Sequence, residues 1–194
     1  SDLFSQAIQA FAQRFPDVQL TLVECASGSL GAQVADGRLD LGLSRLLPQD
    51  EAVQALSLGE ERLVAALSTD NPLASQAQVS LAQLSAYPLI LFPADYGSGL
   101  NQSIEQLYRH HGVPLHTGPT GRQITSIIAL VAAGQGVALV PACTRSLMNK
   151  GVTYRPLVEA DACAQLLVLT PTERPSVLID AFLAVIAEAL HIRQ

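Results

Sequence analysis

Three short stretches of the chain place serine, threonine and glycine directly ahead of a predicted helix. A helix N-terminus carries unpaired backbone N–H groups and a partial positive charge, so it attracts carboxylates and other anions. Serine hydroxyls add hydrogen-bond donors, and glycines let a ligand approach the backbone closely. The stretches are "CASGSL" (25–30), "YGSGLN" (96–101) and "TGRQIT" (120–125).

Arg45 adds a full positive charge directly after the predicted strand "LDLGLS". Taken alone, each loop fits ordinary helix capping, and Arg45 fits a surface arginine. The functional interpretation depends on convergence, because loops that follow parallel strands gather at the carboxyl edge of the sheet, where ligands bind. We therefore expect an anion site only if these loops and Arg45 meet.

Other residue types with chemical potential give weaker patterns. His110, His111 and His116 are close in sequence, but a metal site needs further ligands, and a histidine pair at a helix C-terminus complements the helix dipole. Cys25 follows a predicted strand, where a catalytic cysteine is conceivable but a small buried thiol fits the pattern better. No nucleophile elbow, phosphate-binding loop or paired-carboxylate motif occurs. We predict no catalytic residue, no metal, no cofactor and no enzymatic activity.

Composition limits the partners. The chain has 194 residues, of which 49% are hydrophobic and 14% charged, with a formal net charge of −6. This suits one globular domain or two small lobes, and the scattered cations argue against direct nucleic-acid binding. Three cysteines without CxxC spacing indicate reduced thiols and a cytoplasmic location. We expect no membrane segment and no signal peptide.

Predicted helices and strands alternate along the chain, which indicates an α/β protein with mainly parallel sheets. The first helix ends at Pro16, and a strand is predicted over 18–24. "LVAAGQGVALVPA" (130–142) predicts a helix, a tight turn at Gly134 and Gly136, and a buried strand. The first helix also carries three phenylalanines that fit either core packing or a dimer contact, namely Phe4, Phe11 and Phe15.

The order of these elements resembles the effector-binding domain of LysR-type transcriptional regulators. The resemblance covers the whole chain, and "LVAAGQGVALVPA" is its strongest part. The other motifs that carry it are "FAQRFPDVQLTLVE", "VADGRLDLGLSR", "ALSTDNPLA" and "LILFP".

The resemblance implies a type II periplasmic-binding-protein fold: two Rossmann-like α/β lobes, joined by two crossover strands, with a small-molecule cleft between them. The crossover strands would be "ERLVAALS" and "AQLLVLT". Lobe I would comprise residues 1–65 plus 167–194, and lobe II residues 66–166. The family's first strand and its N-terminal winged helix-turn-helix DNA-binding domain would precede Ser1 and are absent from this sequence.

The function implied by the resemblance is effector sensing, with an organic anion as effector and a homodimer or homotetramer as the assembly. DNA would be contacted only through the missing N-terminal domain. A transport solute-binding protein with the same fold is the alternative. Carried over position by position, the effector-binding residues would be Ser27, Gly28, Arg45, Ser98, Gly99, Leu100, Ile124 and Leu166.

Finer features are similar to the subgroup that responds to aromatic-catabolism intermediates such as muconate and benzoate. "GLSRLLPQDEAV" and "VTYRPLVEADA" carry this likeness. One loop departs from it, because the subgroup tends to have Pro, Asn and Phe where this chain has Ser98, Gly99 and Leu100. The smaller side chains leave the identity of the effector open.

Overall fold

A computed structural model describes residues 3–174 and 176–189. The described helices are α1 (Leu3–Arg14), α2 (Ser27–Ala35), α3 (Leu81–Leu84), α4 (Gly99–His110), α5 (Ile124–Ala132) and α6 (Val177–Ala189). The described strands are β1 (Gly42–Ser44), β2 (Val53–Ser68), β3 (Leu89–Leu91), β4 (Thr117–Thr120), β5 (Ala138–Pro141), β6 (Val152–Pro156) and β7 (Cys163–Pro171). Short 3₁₀ helices occupy Pro72–Ser75, Ala94–Tyr96 and Ala142–Ser146.

The chain divides into two compact units, each with its own core. Unit 1 comprises the described residues within 1–59 and 165–194, and unit 2 those within 60–164. The neighbouring strands β2 and β7 each contribute residues to both units. The predicted lobe limits at 65/66 and 166/167 stay a prediction.

Unit 1 packs helices on both faces of its sheet. Because successive side chains of a strand point to opposite faces, β7 directs Leu166 and Val168 into a cluster with α1 and α6, and Leu167 and Leu169 into a cluster with α2. β1 pairs antiparallel with β7.

Aromatic packing joins α1 to α6. The ring of Phe11 lies 4.9 Å from that of Phe182 and 5.1 Å from that of Phe15. Of the two uses predicted for these phenylalanines, core packing is therefore the one found for Phe11 and Phe15, whereas Phe4 is 38% exposed.

Unit 2 is built around a mixed sheet. β3 lies parallel to β4, and an isolated parallel bridge joins Leu89 of β3 to Val137, the residue before β5. β2 pairs antiparallel with both β5 and β6. One face packs against α3 and α4 and the other against α5.

Two strand predictions need correction. The prediction of mainly parallel sheets holds only for the pair β3–β4 and for isolated bridges, because β1 pairs antiparallel with β7 and the long β2 pairs antiparallel with both β5 and β6. The strand predicted over 18–24 is not formed. Despite its strand-forming pattern, no described strand pairs with this segment, and Leu22 and Val23 are 66% and 56% exposed.

Two glycines produce the predicted turn between α5 and β5. Gly134 has φ +73°, and the hydrogen bonds from Gly134 N to Val131 O and from Gln135 N to Leu130 O form a Schellman motif. Gly136 has φ +154°, and a side chain there would collide with the carbonyl oxygen of Pro88. The two glycines of the motif "LVAAGQGVALVPA" are thus required by the backbone geometry of the turn between α5 and β5.

Candidate functional site

The N-terminus of α4 contains three predicted site residues, Ser98, Gly99 and Leu100. Gly97, with φ +64°, ends the preceding 3₁₀ helix and directs the chain into α4. Ser98 is the N-cap, and its Oγ accepts a hydrogen bond from Asn101 N at 3.3 Å. All three predicted residues are buried. The first turn of α4 is therefore buried and is capped by the hydroxyl of its own N-cap residue, Ser98.

Asn101 is a residue that the sequence analysis missed. Its Nδ2 donates to Phe92 O at 2.9 Å, and Phe92 N donates to its Oδ1 at 3.2 Å, so one buried side chain satisfies both backbone groups of Phe92. This contact fixes the start of α4 against the end of β3. An amide on the otherwise apolar buried face of a predicted helix is the signal that could have revealed it.

The N-terminus of α5 reaches the same end of β3. Gly121 N donates to Leu91 O at 3.1 Å, and a Cβ at Gly121 would come within 2.9 Å of Ile127 N, so the loop packs tightly against the helix. Ile124, the first residue of α5, is half-buried against both cores of unit 2. The structure thus gathers the α4 and α5 N-termini at the carboxyl end of β3.

Unit 1 presents a different helix start. α2 begins at Ser27, and its N-cap residue, Ala26, has no side chain that can accept a backbone hydrogen bond. Ser29 Oγ donates to Ala26 O at 3.0 Å instead. Ser27 is half-buried and Gly28 is exposed.

Arg45 follows β1 and is half-buried. The neighbouring turn is held by Ser44, whose Oγ donates to Leu46 O and accepts from Leu46 N, both at 2.9 Å. The backbone on either side of Arg45 is therefore fixed.

Leu166 lies on β7 and packs in the core of unit 1 with Phe11, Val168 and Phe182. The structure shows it as a core residue, and its predicted part in an apolar ligand wall stays a prediction. No helix among the described residues is long and apolar enough to cross a membrane.

Comparisons with known proteins agree on one family. A family model described as the LysR substrate binding domain matches residues 1–191. The chain is 32% identical over 168 residues to the uncharacterized HTH-type transcriptional regulator YnfL of Escherichia coli K12, which covers 86% of this chain and 56% of that protein. It is 30% identical over 172 residues to the HTH-type transcriptional regulator CatR of Pseudomonas putida, covering 89% and 59%. The chain thus spans somewhat more than half the length of these relatives.

Solved structures give the same result. The effector-binding domain of a BenM variant superposes with a TM-score of 0.86 at 26% identity, covering 98% of this chain and 89% of that one. The BenM effector-binding domain with its effector benzoate superposes with a TM-score of 0.84 at 25% identity, covering 100% and 89%. BenM is an HTH-type transcriptional regulator of Acinetobacter baylyi. The fold is the predicted type II periplasmic-binding-protein fold, and the chain belongs to the LysR substrate-binding-domain family.

Proposed function

We propose that this chain is the small-molecule-sensing domain of a LysR-type transcriptional regulator and that its effector is an organic carboxylate. The observation that carries the proposal is the likeness to the benzoate-bound BenM domain over the whole chain. The named relatives are transcriptional regulators, which supports sensing over transport and over catalysis. A regulator's place beside DNA supports a cytoplasmic location.

We propose that both units contribute effector contacts, and that the units correspond to lobe I (1–65 plus 167–194) and lobe II (66–166). In unit 1, the α2 N-terminus offers backbone N–H groups with no side-chain cap at Ala26, and such groups favour a carboxylate. Arg45 would supply the full positive charge. The proposed contacts are Ser27, Gly28 and Arg45 in unit 1, Ser98, Gly99, Leu100 and Ile124 in unit 2, and Leu166.

A thermal-shift screen of small carboxylates tests this function. A ligand that binds only the folded protein raises its stability by about 2.7 kcal/mol at a hundred times Kd. Benzoate and muconate are the first probes, and benzamide is the matched uncharged control. If no carboxylate raises the Tm more than its amide does, the proposed effector class is wrong.

Arg45→Ala tests the charge contact once a carboxylate is found. Losing a charge-assisted hydrogen bond costs about 1.5–3 kcal/mol, so the affinity should fall by about tenfold to a hundredfold. Calorimetry on wild type, Arg45→Lys and Arg45→Ala measures it. An unchanged Kd in Arg45→Ala would remove Arg45 from the site while leaving effector sensing intact.

We also propose that the domain self-associates as a homodimer or homotetramer, and that DNA is contacted through an additional N-terminal domain. The aromatic character of α1 supports the first part, since Phe4 remains exposed. Sedimentation of wild type and Phe4→Ser at micromolar concentration tests it. A monomer that persists as the concentration rises would contradict self-association of this chain.

A further inference from the structure

The C-terminal end of α4 brings two adjacent histidines onto one carboxylate. His110 Nδ1 lies 2.9 Å from Asp161 Oδ2, and His111 Nε2 lies 2.7 Å from Asp161 Oδ1. The two imidazole rings are 5.0 Å apart at an angle of 76°. The sequence analysis weighed a metal site for these histidines and His116, predicted none for want of further ligands, and favoured a complement to the helix dipole. The carboxylate lies some fifty residues further along the chain.

The backbone that carries the histidines is fixed. His110 ends α4 and His111 is its C-cap, and hydrogen bonds from Gly112 N to Arg109 O and from Val113 N to Tyr108 O close a Schellman motif. The negative end of the helix dipole also lies here, which favours a bound cation. The imidazoles are therefore presented from a rigid and electrostatically suitable position.

The segment that carries Asp161 is fixed as well. Ala162 O accepts from Leu63 N at 2.8 Å, and Ala160 O accepts from Arg62 Nη1 at 2.6 Å, so both neighbours of Asp161 are anchored to β2. Glu159 Oε1 accepts from Leu81 N at 2.9 Å. Asp161 is thus held between two tethered residues, and it lies in unit 2 together with the two histidines.

We propose that His110, His111 and Asp161 form a binding site for a divalent transition-metal ion, with Zn²⁺ as the best match, between the end of α4 and the segment that precedes β7. Imidazole together with carboxylate suits Zn²⁺ and its neighbours rather than Mg²⁺ or Ca²⁺. Three protein ligands with water in the fourth position is a common zinc arrangement.

The distances fit this occupant. One ligand atom from each residue lies within 4.8 Å of the others. Tetrahedral Zn²⁺ with bonds of about 2.0–2.1 Å places its ligand atoms about 3.3 Å apart. Each imidazole nitrogen lies closer than that to its own carboxylate oxygen, at 2.9 and 2.7 Å, whereas the three ligand atoms together are spread over up to 4.8 Å. The exposed side chains would therefore move by up to about 1.5 Å to hold one ion. A bound ion would then pin α4 to the segment ahead of β7.

Zinc titration against a chromogenic chelator tests the site. The protein is the untagged chain with His191, which lies outside the described residues, changed to alanine throughout. We expect one tight Zn²⁺ per chain. Because losing even an outer partner of a ligand costs about tenfold to a hundredfold in affinity, His110→Ala, His111→Ala and Asp161→Asn should each weaken binding by at least about tenfold. His116→Ala is the matched control, since His116 is exposed and outside the cluster, and should leave the affinity unchanged.

A second measurement separates this site from adventitious binding by thiols. Cobalt substitution should give visible bands without a sulfur-to-cobalt charge-transfer band, and Ca²⁺ should not compete. Zn²⁺ should raise the Tm of the wild type, and Asp161→Asn should lose that rise relative to its own metal-free form. The proposal is overturned if the His110→Ala/His111→Ala double variant binds Zn²⁺ as tightly as the wild type, or if the cobalt spectrum shows sulfur ligation.

Discussion

Two of the three helix starts that were predicted to bind an anion, at α2 in unit 1 and α4 in unit 2, are capped in different ways. At α4, the Ser98 hydroxyl caps the helix, and the buried Asn101 joins the first turn to Phe92. At α2, Ala26 offers no cap, and Ser27 and Gly28 are not buried. Similar Ser–Gly sequences therefore satisfy the third N–H of the helix in two ways: the Ser98 hydroxyl accepts from Asn101 N in α4, and the Ala26 carbonyl accepts from Ser29 N in α2.

The comparison teaches that capping and ligand binding compete for the same groups. In each helix the third backbone N–H is already used, by Ser98 Oγ in α4 and by Ala26 O in α2, so the N–H groups that remain for a carboxylate are those of the first two residues. The difference between the two helix starts lies in the serine hydroxyls, because that of Ser98 is used as a helix cap and that of Ser27 is not. Substitutions at Asn101, Ser98 and Ser27 test this difference, and one at Tyr108 tests a buried group further along α4.

Asn101→Ala should have the largest effect, and it tests how far unit 2 depends on its internal polar contacts. Removing the amide leaves the partly buried Phe92 N and Phe92 O without this partner, at a cost of about 1–3 kcal/mol. Urea unfolding measures the change. Asn101→Asp, which keeps an acceptor and loses the donor, should fall between wild type and alanine. A loss of less than about 1 kcal/mol for alanine would mean that water replaces the amide.

Ser98→Ala and Ser27→Ala form a matched pair, because each removes one hydroxyl at the start of a helix. Ser98→Ala should cost about 1 kcal/mol through loss of an N-cap. Ser27→Ala should stay within about 0.5 kcal/mol, as surface changes usually do. For a bound carboxylate we expect the reverse order, with the larger loss of affinity at Ser27. Equal losses of stability in Ser98→Ala and Ser27→Ala would contradict the inferred difference between the two helix starts.

Tyr108→Phe should have the smallest effect of these substitutions, and whether it raises or lowers the free energy of unfolding is informative. Tyr108 Oη and Glu159 Oε2 are buried without a hydrogen-bond partner among the described residues. Burial first, and the nearby Glu159 charge second, raise the pKa of Tyr108 well above its ordinary value of 10.0. Phenylalanine removes an unsatisfied hydroxyl, so stability at pH 7 should be unchanged or higher by up to about 1 kcal/mol.

The pH dependence gives a second readout for Tyr108. The pKa of Tyr108 is higher in the folded protein than in the unfolded chain. The contribution of Tyr108 to stability is therefore fully present below pH 10 and is lost as the pH rises above 10, where the unfolded tyrosine ionises. Tyr108→Phe should therefore lessen the alkaline loss of stability. Tyr96→Phe is the control, because its ring stacks on Phe92 at 5.8 Å and phenylalanine preserves that contact. An identical alkaline profile in Tyr108→Phe would contradict the prediction.

Local sequence patterns predicted most of the helices and strands. Helical spacing and Pro16 predicted α1, and the Gly134–Gly136 turn between α5 and β5 is confirmed by positive φ angles. The segment 18–24 shows the limit of such patterns. Its alternating β-branched residues are typical of a strand, but a strand needs a partner for its backbone groups, and pairing is not a local property.

The site residues show the same limit. Ser98 is the α4 N-cap, which is the capping use that the sequence analysis weighed for each of these loops, and its predicted part in effector binding stays a prediction. The contact of Asn101 with Phe92, and that of Asp161 with His110 and His111, join residues that are distant in the chain. Sequence spacing identified the histidines but could not identify their carboxylate, because only the fold brings it near.

The collision that Pro88 imposes at Gly136 also governs which sequences can be tolerated there. Gly134 needs only its backbone angle, since nothing lies within 4 Å of where a Cβ would be, whereas Gly136 faces both an unusual angle and a carbonyl oxygen. Gln135 between them is exposed. In a library randomised over 134–136 and selected for folding, position 135 should accept most residues, position 134 should admit asparagine beside glycine, and position 136 should return glycine alone.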